Sequence, residues 1–311
     1  MGRSMESMKT LSWPRRLLNI GGVIFLSLIV LELGLRLLAV AFAERPTSYE
    51  QDSGEGEREP FTIVCIGDSW TRGQPSGSYP AFLQRRLEAI NAGTEFRVVN
   101  LGNSGTNSTQ ALRRLADAIP RYQPRMAIVM SGNKDHSNLT ESAYWRFADS
   151  SDRPPSLLAA KTRVFLHSLR VYRVARLAYC ALAGIDTPNQ FLYLRDDELA
   201  PTGTLAAIDA DTHRRQLEYN LVKFVELTRS NGIELVFQTY FHFHGFQVNQ
   251  VILDVATAYR IPVANHNLNF HTEIPVAERP RYLIPDGHPS PLGYDYMAAK
   301  LLEVIQENGL L

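Results

Sequence analysis

FTIVCIGDSW, residues 61–70, is the stretch that decides the fold. Phe61 to Ile66 carries no charge and ends at Gly67. A short continuous apolar run closed by a glycine predicts a strand buried on both faces, as in a parallel sheet. Asp68 and Ser69 then fall at the carboxyl end of that strand, where open parallel sheets gather their ligands.

The same pattern recurs outward from it. FRVVNL (96–101), MAIVM (126–130), Ile233 to Tyr240 and Ile261 to Ala264 each read as strands. Between them lie segments with helical spacing of apolar residues: Tyr79 to Ile90, Thr109 to Ile119 stopped by Pro120, Thr212 to Ser230, Val248 to Tyr259 and Pro291 to Gln306. Gly232 stands where a helix C-cap belongs, and Pro291 where a helix starts. Strands alternating with helices predict an α/β fold: a mostly parallel five-stranded sheet in a three-layer α/β/α sandwich. This domain spans 61–311. An insertion at about 137–211 breaks the rhythm, although its Arg- and Leu-rich middle, Lys161 to Leu182, reads as helical. It is expected to form a cap or a second membrane-facing element.

The N-terminus has another character. Leu17 to Leu31 is uncharged, and the apolar stretch continues past Glu32 and Arg36 to Phe42. That length suits a helix across a ~30 Å hydrocarbon core. Glu32 and Arg36, four apart, share a helix face and partly neutralise each other. Lys9, Arg15 and Arg16 precede the stretch and acidic residues follow, which places residues 1–16 in the cytoplasm and the rest outside. Residues 17–43 are thus expected to be a transmembrane signal-anchor, with 44–60, polar and acidic, a linker. Three other readings are a signal peptide cleaved near Ala41-Phe42-Ala43, a buried core helix and a partner-binding helix.

The composition narrows the function. Lys plus Arg (32) equals Asp plus Glu (32), leaving no basic surplus for nucleic acid. The two cysteines, Cys65 and Cys180, imply neither a disulfide framework nor a metal knuckle.

Chemistry-bearing residues cluster after the predicted strands. The first strand ends in Gly67-Asp68-Ser69, the second in Gly102-Asn103-Ser104, the third in Gly132-Asn133 and the fourth in Tyr240-Phe241-His242-Phe243-His244. Asp286-Gly287-His288-Pro289 stands near the C-terminus. Each has a plain alternative. Asp68-Ser69 suits a helix N-cap, Gly102 a turn, and Asp286 local backbone bonds. His242 and His244 could pair on a metal, but no third ligand stands at a telling spacing, so a pocket-lining role is expected, with Asp68 and His136 beside them. Asn107-Ser108-Thr109 and Asn138-Leu139-Thr140 fit the N-glycosylation pattern.

Four blocks in order, IGDSW, NLGNSG, SGNKDH and PDGHPSPLGY, resemble the SGNH (GDSL-like) hydrolase family, over about Phe61 to the C-terminus apart from the insertion. The resemblance implies a flavodoxin-like fold and a serine esterase without metal or organic cofactor. It implies Ser69 as nucleophile and His288 as its base, oriented by Asp286, and an oxyanion hole of the Ser69 and Gly102 N–H groups with the Asn133 amide. Gly102 would be needed because a side chain there would crowd the substrate. The family places its aspartate three residues before the histidine; here Asp286 is two before His288, and an extended segment would put both on one side. The substrate expected is a small-molecule, glycan or lipid ester outside the cytoplasm. An O-acyltransferase for surface polysaccharide would use the same residues. An inactive carbohydrate-binding module would be favoured by the altered Asp–His spacing.

Overall fold

The computed structural model describes residues 13–41, 47–50, 60–90, 93–136, 138–139, 141–147, 162, 165–166, 168–184, 210–242 and 247–311. They fall into two compact units, one of Met1–Glu44 with Phe165–Phe191, the other of Arg45–Val164 with Leu192–Leu311.

The larger unit is built on one sheet. Its strands are β1 (Thr47–Glu50), β2 (Phe61–Gly67), β3 (Phe96–Asn100), β4 (Met126–Met130), β5 (Glu234–Gln238) and β6 (Val263–Ala264). They lie in the order β1-β3-β2-β4-β5-β6. β2 to β6 are all parallel to their neighbours, and the five expected strands are present. Both flanks of the sheet are covered, which is why Ile63 to Ile66 and Met126 to Met130 are buried and why these runs carry no alternation. The chain goes from β2 to β3 on one side and returns to β4 on the other. A crevice therefore opens at the carboxyl ends of β2 and β4, the switch point of the topology.

The sixth strand is unexpected. Thr47–Glu50 pairs antiparallel with β3, Thr47 opposite Asn100 and Glu50 opposite Arg97, inside the stretch read as linker. Four residues of mixed character carry no periodic signal, and only the open edge of β3 gives them a partner.

The helices of this unit are α2 (Ser69–Arg72), α3 (Tyr79–Ile90) and α4 (Ser108–Tyr122), then α6 (Ala210–Ser230), α7 (Val248–Tyr259), α8 (His266–Glu273) and α9 (Pro291–Glu307); α5 belongs to the other unit. α3 packs on α9, while α4, α6 and α7 form a second packed group, giving the outer layers. Pro120 does not stop α4. It lies in the last turn, and Gln123, at φ 45°, ends the helix while its N–H donates to Ile119 O at 2.9 Å. A proline removes only its own N–H, so the residues after it still bond back. The first asparagine of each glycosylation pattern is buried. Asn107 caps α4 and donates to Asn138 O, and Asn138 donates to Gly105 O.

In the smaller unit, α1 (Trp13–Ala41) contains an apolar span, Leu17–Leu38, long enough to cross a membrane. α5 (Arg170–Leu182) packs on it, inside the stretch read as helical. Most of the 137–211 insertion lies outside the described residues.

Candidate active site

β2 delivers its chain end directly into α2. Asp68 is the N-cap: its Oδ1 accepts from Trp70 N at 2.9 Å, and its Oδ2 accepts from the Tyr240 hydroxyl at 3.0 Å. Tyr240 thereby ties the end of β5 to the end of β2 beneath the crevice. Asp68 is fully buried, below the cleft and not on its wall. Burial pushes its carboxyl up, against the Trp70 N–H, the Lys134 charge, the Tyr240 hydroxyl and His288. The capping function expected of Asp68-Ser69 belongs to Asp68 alone, which leaves the Ser69 hydroxyl available for other contacts.

That hydroxyl meets the C-terminal block. Ser69 Oγ lies 2.7 Å from His288 Nε2, and His288 Nδ1 lies 3.0 Å from Asp286 Oδ1. Asp286 and His288 are not in extended chain. Ile284 O accepts from Gly287 N at 2.9 Å, and His288 O accepts from Ile284 N at 2.8 Å, so the segment is a closed turn. Gly287 sits at φ +86°, a left-handed value that glycine adopts without penalty. The turn brings Asp286 Oδ1 onto the His288 backbone N–H at 3.0 Å as well as the ring. Spacing shortened by one residue is thus made good by a left-handed glycine. Partial burial pushes the Asp286 carboxyl up, but the His288 N–H, ring and charge outweigh it and the net direction is down. Asp286 stays ionised beside the imidazole.

Trp70 supports this pair. Its ring lies edge-on to Tyr240 and Phe241, with centroids 5.4 and 5.6 Å away, and 6.2 Å from the imidazole. Among the described residues, Trp70, Asn133, Lys134, His136, Asp286, Gly287 and His288 line a cleft of about 210 Å³ over the dyad. Trp70 and Lys134 line the cleft without a role read from sequence, and Tyr240, there only the end of a strand, holds the site from below. Trp70 directly follows the serine, and Tyr240 ends a predicted strand; both positions were visible as signals.

Gly102 is held differently from the expectation. Its N–H donates to Asn100 Oδ1 at 2.9 Å, and a Cβ there would come within 2.1 Å of Arg72 N. The glycine makes room for the α2 backbone. His242 packs edge-on to Phe270, centroids 5.7 Å apart, and does not line the cleft. His244 lies outside the described residues. Among the described residues no three His, Cys, Asp or Glu side chains group as metal ligands.

Two buried titratable groups flank the sheet ends. Asp135 accepts from Ser108 N and from Ser108 Oγ, and burial pushes its carboxyl up to about 7. His266 Nε2 lies 2.8 Å from Gln238 Oε1, and burial pushes its ring down to about 3.

Solved structures similar to the chain include TesA, 15% identical, with a TM-score of 0.46 over 79% of this chain and 98% of that one. A lipase/acylhydrolase from Enterococcus faecalis is 17% identical, with a TM-score of 0.47 over 79% and 96%. The acetylxylan esterase Axe2 from Geobacillus stearothermophilus is 17% identical, with a TM-score of 0.44 over 78% and 93%. No curated protein sequence matches the chain. The family pattern, by contrast, runs through residues 65–296, from the end of β2 across the serine turn and the histidine turn into α9. The chain belongs to the GDSL-like lipase/acylhydrolase family, a family of hydrolases acting on ester bonds.

Proposed function

We propose that the chain hydrolyses short carboxylic O-acyl esters, acetyl esters among them, through an acyl-enzyme on Ser69. The 2.7 Å contact between Ser69 Oγ and His288 Nε2 carries this reading. A serine hydroxyl is a weak nucleophile until a base takes its proton. With Nδ1–H donating to Asp286, the Nε2 lone pair faces Ser69 and accepts that proton as Oγ attacks the ester carbon. The carbonyl oxygen gains the charge. The alcohol then leaves with the proton from His288, and water, deprotonated by His288, releases the acid and restores Ser69. The Ser69 N–H and the Asn133 side-chain amide are the donors for the transient oxyanion. Gly102 joins them only by giving up Asn100.

The polar lining that the described residues give the cleft supports a short acyl group. Leu17–Leu38 supports a membrane anchor, and the basic residues before it support a cytoplasmic N-terminus and an extracytoplasmic catalytic unit. Acylated glycans or lipids of the cell surface are the substrates that location offers.

The test is the intact mass of the full chain after a serine-reactive fluorophosphonate, beside Ser69→Ala. One adduct on the parent and none on the variant is the expected result. No adduct on folded parent protein would favour a binding module. Faster acyl transfer to an added sugar than to water would make the enzyme an O-acyltransferase. Membrane retention in a carbonate wash, with external protease digesting the catalytic unit, tests the anchor separately.

A further inference from the structure

The smaller unit contains a charge cluster that the proposed reaction does not use. Glu32 and Arg36 lie inside the apolar span of α1, six and two residues before its last residue, Leu38. At 1.5 Å per residue these are depths of about 9 and 3 Å, in the layer where hydrocarbon gives way to headgroups. Arg36 Nε donates to Glu32 Oε1 at 2.7 Å, and Arg36 also reaches Ser168 O at 3.4 Å. The other Glu32 oxygen accepts from Val171 N at 3.0 Å. Leu169, the N-cap of α5, supplies no side-chain cap of its own, so the Glu32 carboxylate caps α5 from α1.

Both oxygens of Glu32 are therefore engaged, yet among the described residues the charge is not balanced. Arg170 and Arg173 enter the same neighbourhood, where Arg173 is surrounded by the charges of Arg170, Arg36 and Glu32. Arg173 Nε is buried and has no hydrogen-bond partner. Among the described residues three guanidinium groups share this neighbourhood with one carboxylate, and the positive end of the α5 dipole adds to them. α5 also exposes Val174, Leu177, Tyr179 and Leu182, the last at 90%, with Phe165 exposed before the helix. An excess of guanidinium beside exposed apolar side chains, at the end of an apolar span, has the chemistry of a phospholipid: phosphate for the arginines, acyl chains for the rest.

We propose that Arg36, Arg170 and Arg173 bind the phosphate of a phospholipid headgroup, with α5 lying in the membrane surface beside the end of α1. This rests on the reading of α1 as a membrane anchor. Glu32 holds the two helices in register, and the lipid phosphate supplies the missing counter-charge.

The experiment is native mass spectrometry of the full chain in detergent, titrated with phosphatidylglycerol, with phosphate-free diacylglycerol and with inorganic phosphate. The parent should retain one phospholipid. The double variant Arg170→Gln/Arg173→Gln should bind it at least about tenfold more weakly, because charge-assisted contacts are lost. Arg170→Lys/Arg173→Lys should keep most of the affinity, which separates charge from helix loss. Equal phospholipid retention by parent and Gln variant, or equal retention of diacylglycerol and phospholipid by the parent, overturns the site. Binding of inorganic phosphate as tight as that of phospholipid makes it a free-anion site and overturns the lipid assignment. Release of the parent from membranes by carbonate sinks the anchor reading itself; retention with no lipid preference sinks only this site.

Discussion

Ser69 and His288 meet at 2.7 Å, yet the segments that carry them are held in opposite ways. Ser69 leaves a fully buried strand, and its neighbour Asp68 is locked by Trp70 N and the Tyr240 hydroxyl in the interior. His288 sits in a surface turn closed by local bonds, and its partner Asp286 is 59% exposed. The serine side is an extension of the core, whereas the histidine side is a local device. Damage to the buried support of the first, Asp68, should therefore register as lost stability as well as lost rate. Damage to the second should register as lost rate alone.

Ser69→Ala carries the largest effect on turnover, a loss of at least about 10⁴-fold with an unchanged melting temperature. Turnover surviving in that variant would remove Ser69 from the chemistry. Asn133→Ala should lower kcat by about 10²–10³, the effect of one oxyanion donor. Full activity there would reassign the donor.

The contrast itself is tested by a pair of alanines. Asp68→Ala removes a helix cap and leaves the buried Tyr240 hydroxyl without its acceptor, for about 2–4 kcal/mol of stability read by denaturant unfolding. Asp286→Ala should leave the unfolding midpoint in place and lower kcat by about 10–10², since water can reach the imidazole in its stead. Equal stability losses in the two variants would break the distinction.

Gly287→Ala sharpens it further. Nothing lies within 4 Å of an added Cβ, so the backbone at φ +86° bears the whole strain, about 1–2 kcal/mol. A several-fold fall in kcat is expected, with no more than that strain lost from global stability.

The smallest effect is in pH. Asp135, with its folded value raised to about 7, contributes stability fully present below the ordinary carboxylate range and lost as pH rises through 7. His266, lowered to about 3, acts the other way: the unfolded chain takes the proton first as pH falls from 6.5, so stability declines toward acid. The two slopes oppose each other from about pH 4 to 6.5. Asp135→Asn should remove the first slope and leave a melting temperature that rises more steeply, or falls less, with pH across that range. A profile identical to the parent's would show that Asp135 binds its proton no differently on unfolding.

How legible these features were in the sequence follows from how local they are. The five parallel strands were readable because burial on both faces forbids charge over five or six residues, and FTIVCI and MAIVM obey that without exception. Ser69 and Asn133 stand out because they directly follow those strands, and His288 because it sits in a short block just before the last helix. The Asp286 turn was misread as extended because the deciding quantity is one backbone angle at Gly287, which no periodicity encodes. The close approach of Arg72 to Gly102 is not legible in sequence because the two lie thirty positions apart along the chain. The same limit hid the Glu32 cap on α5, a contact across 139 residues. Strand β1 was passed over since four residues define no pattern until the edge beside them is known.

That edge strand has a practical consequence. A recombinant chain begun at Phe61, the natural choice if 44–60 were only a tether, would leave β3 as the outermost strand with Phe96 to Asn100 unpaired along one side. An uncovered parallel edge of that length is a template for a second molecule. Such a truncation should self-associate through strand addition at concentrations where a chain begun before Thr47 stays monodisperse, and the first soluble preparations of the catalytic unit should keep those four residues.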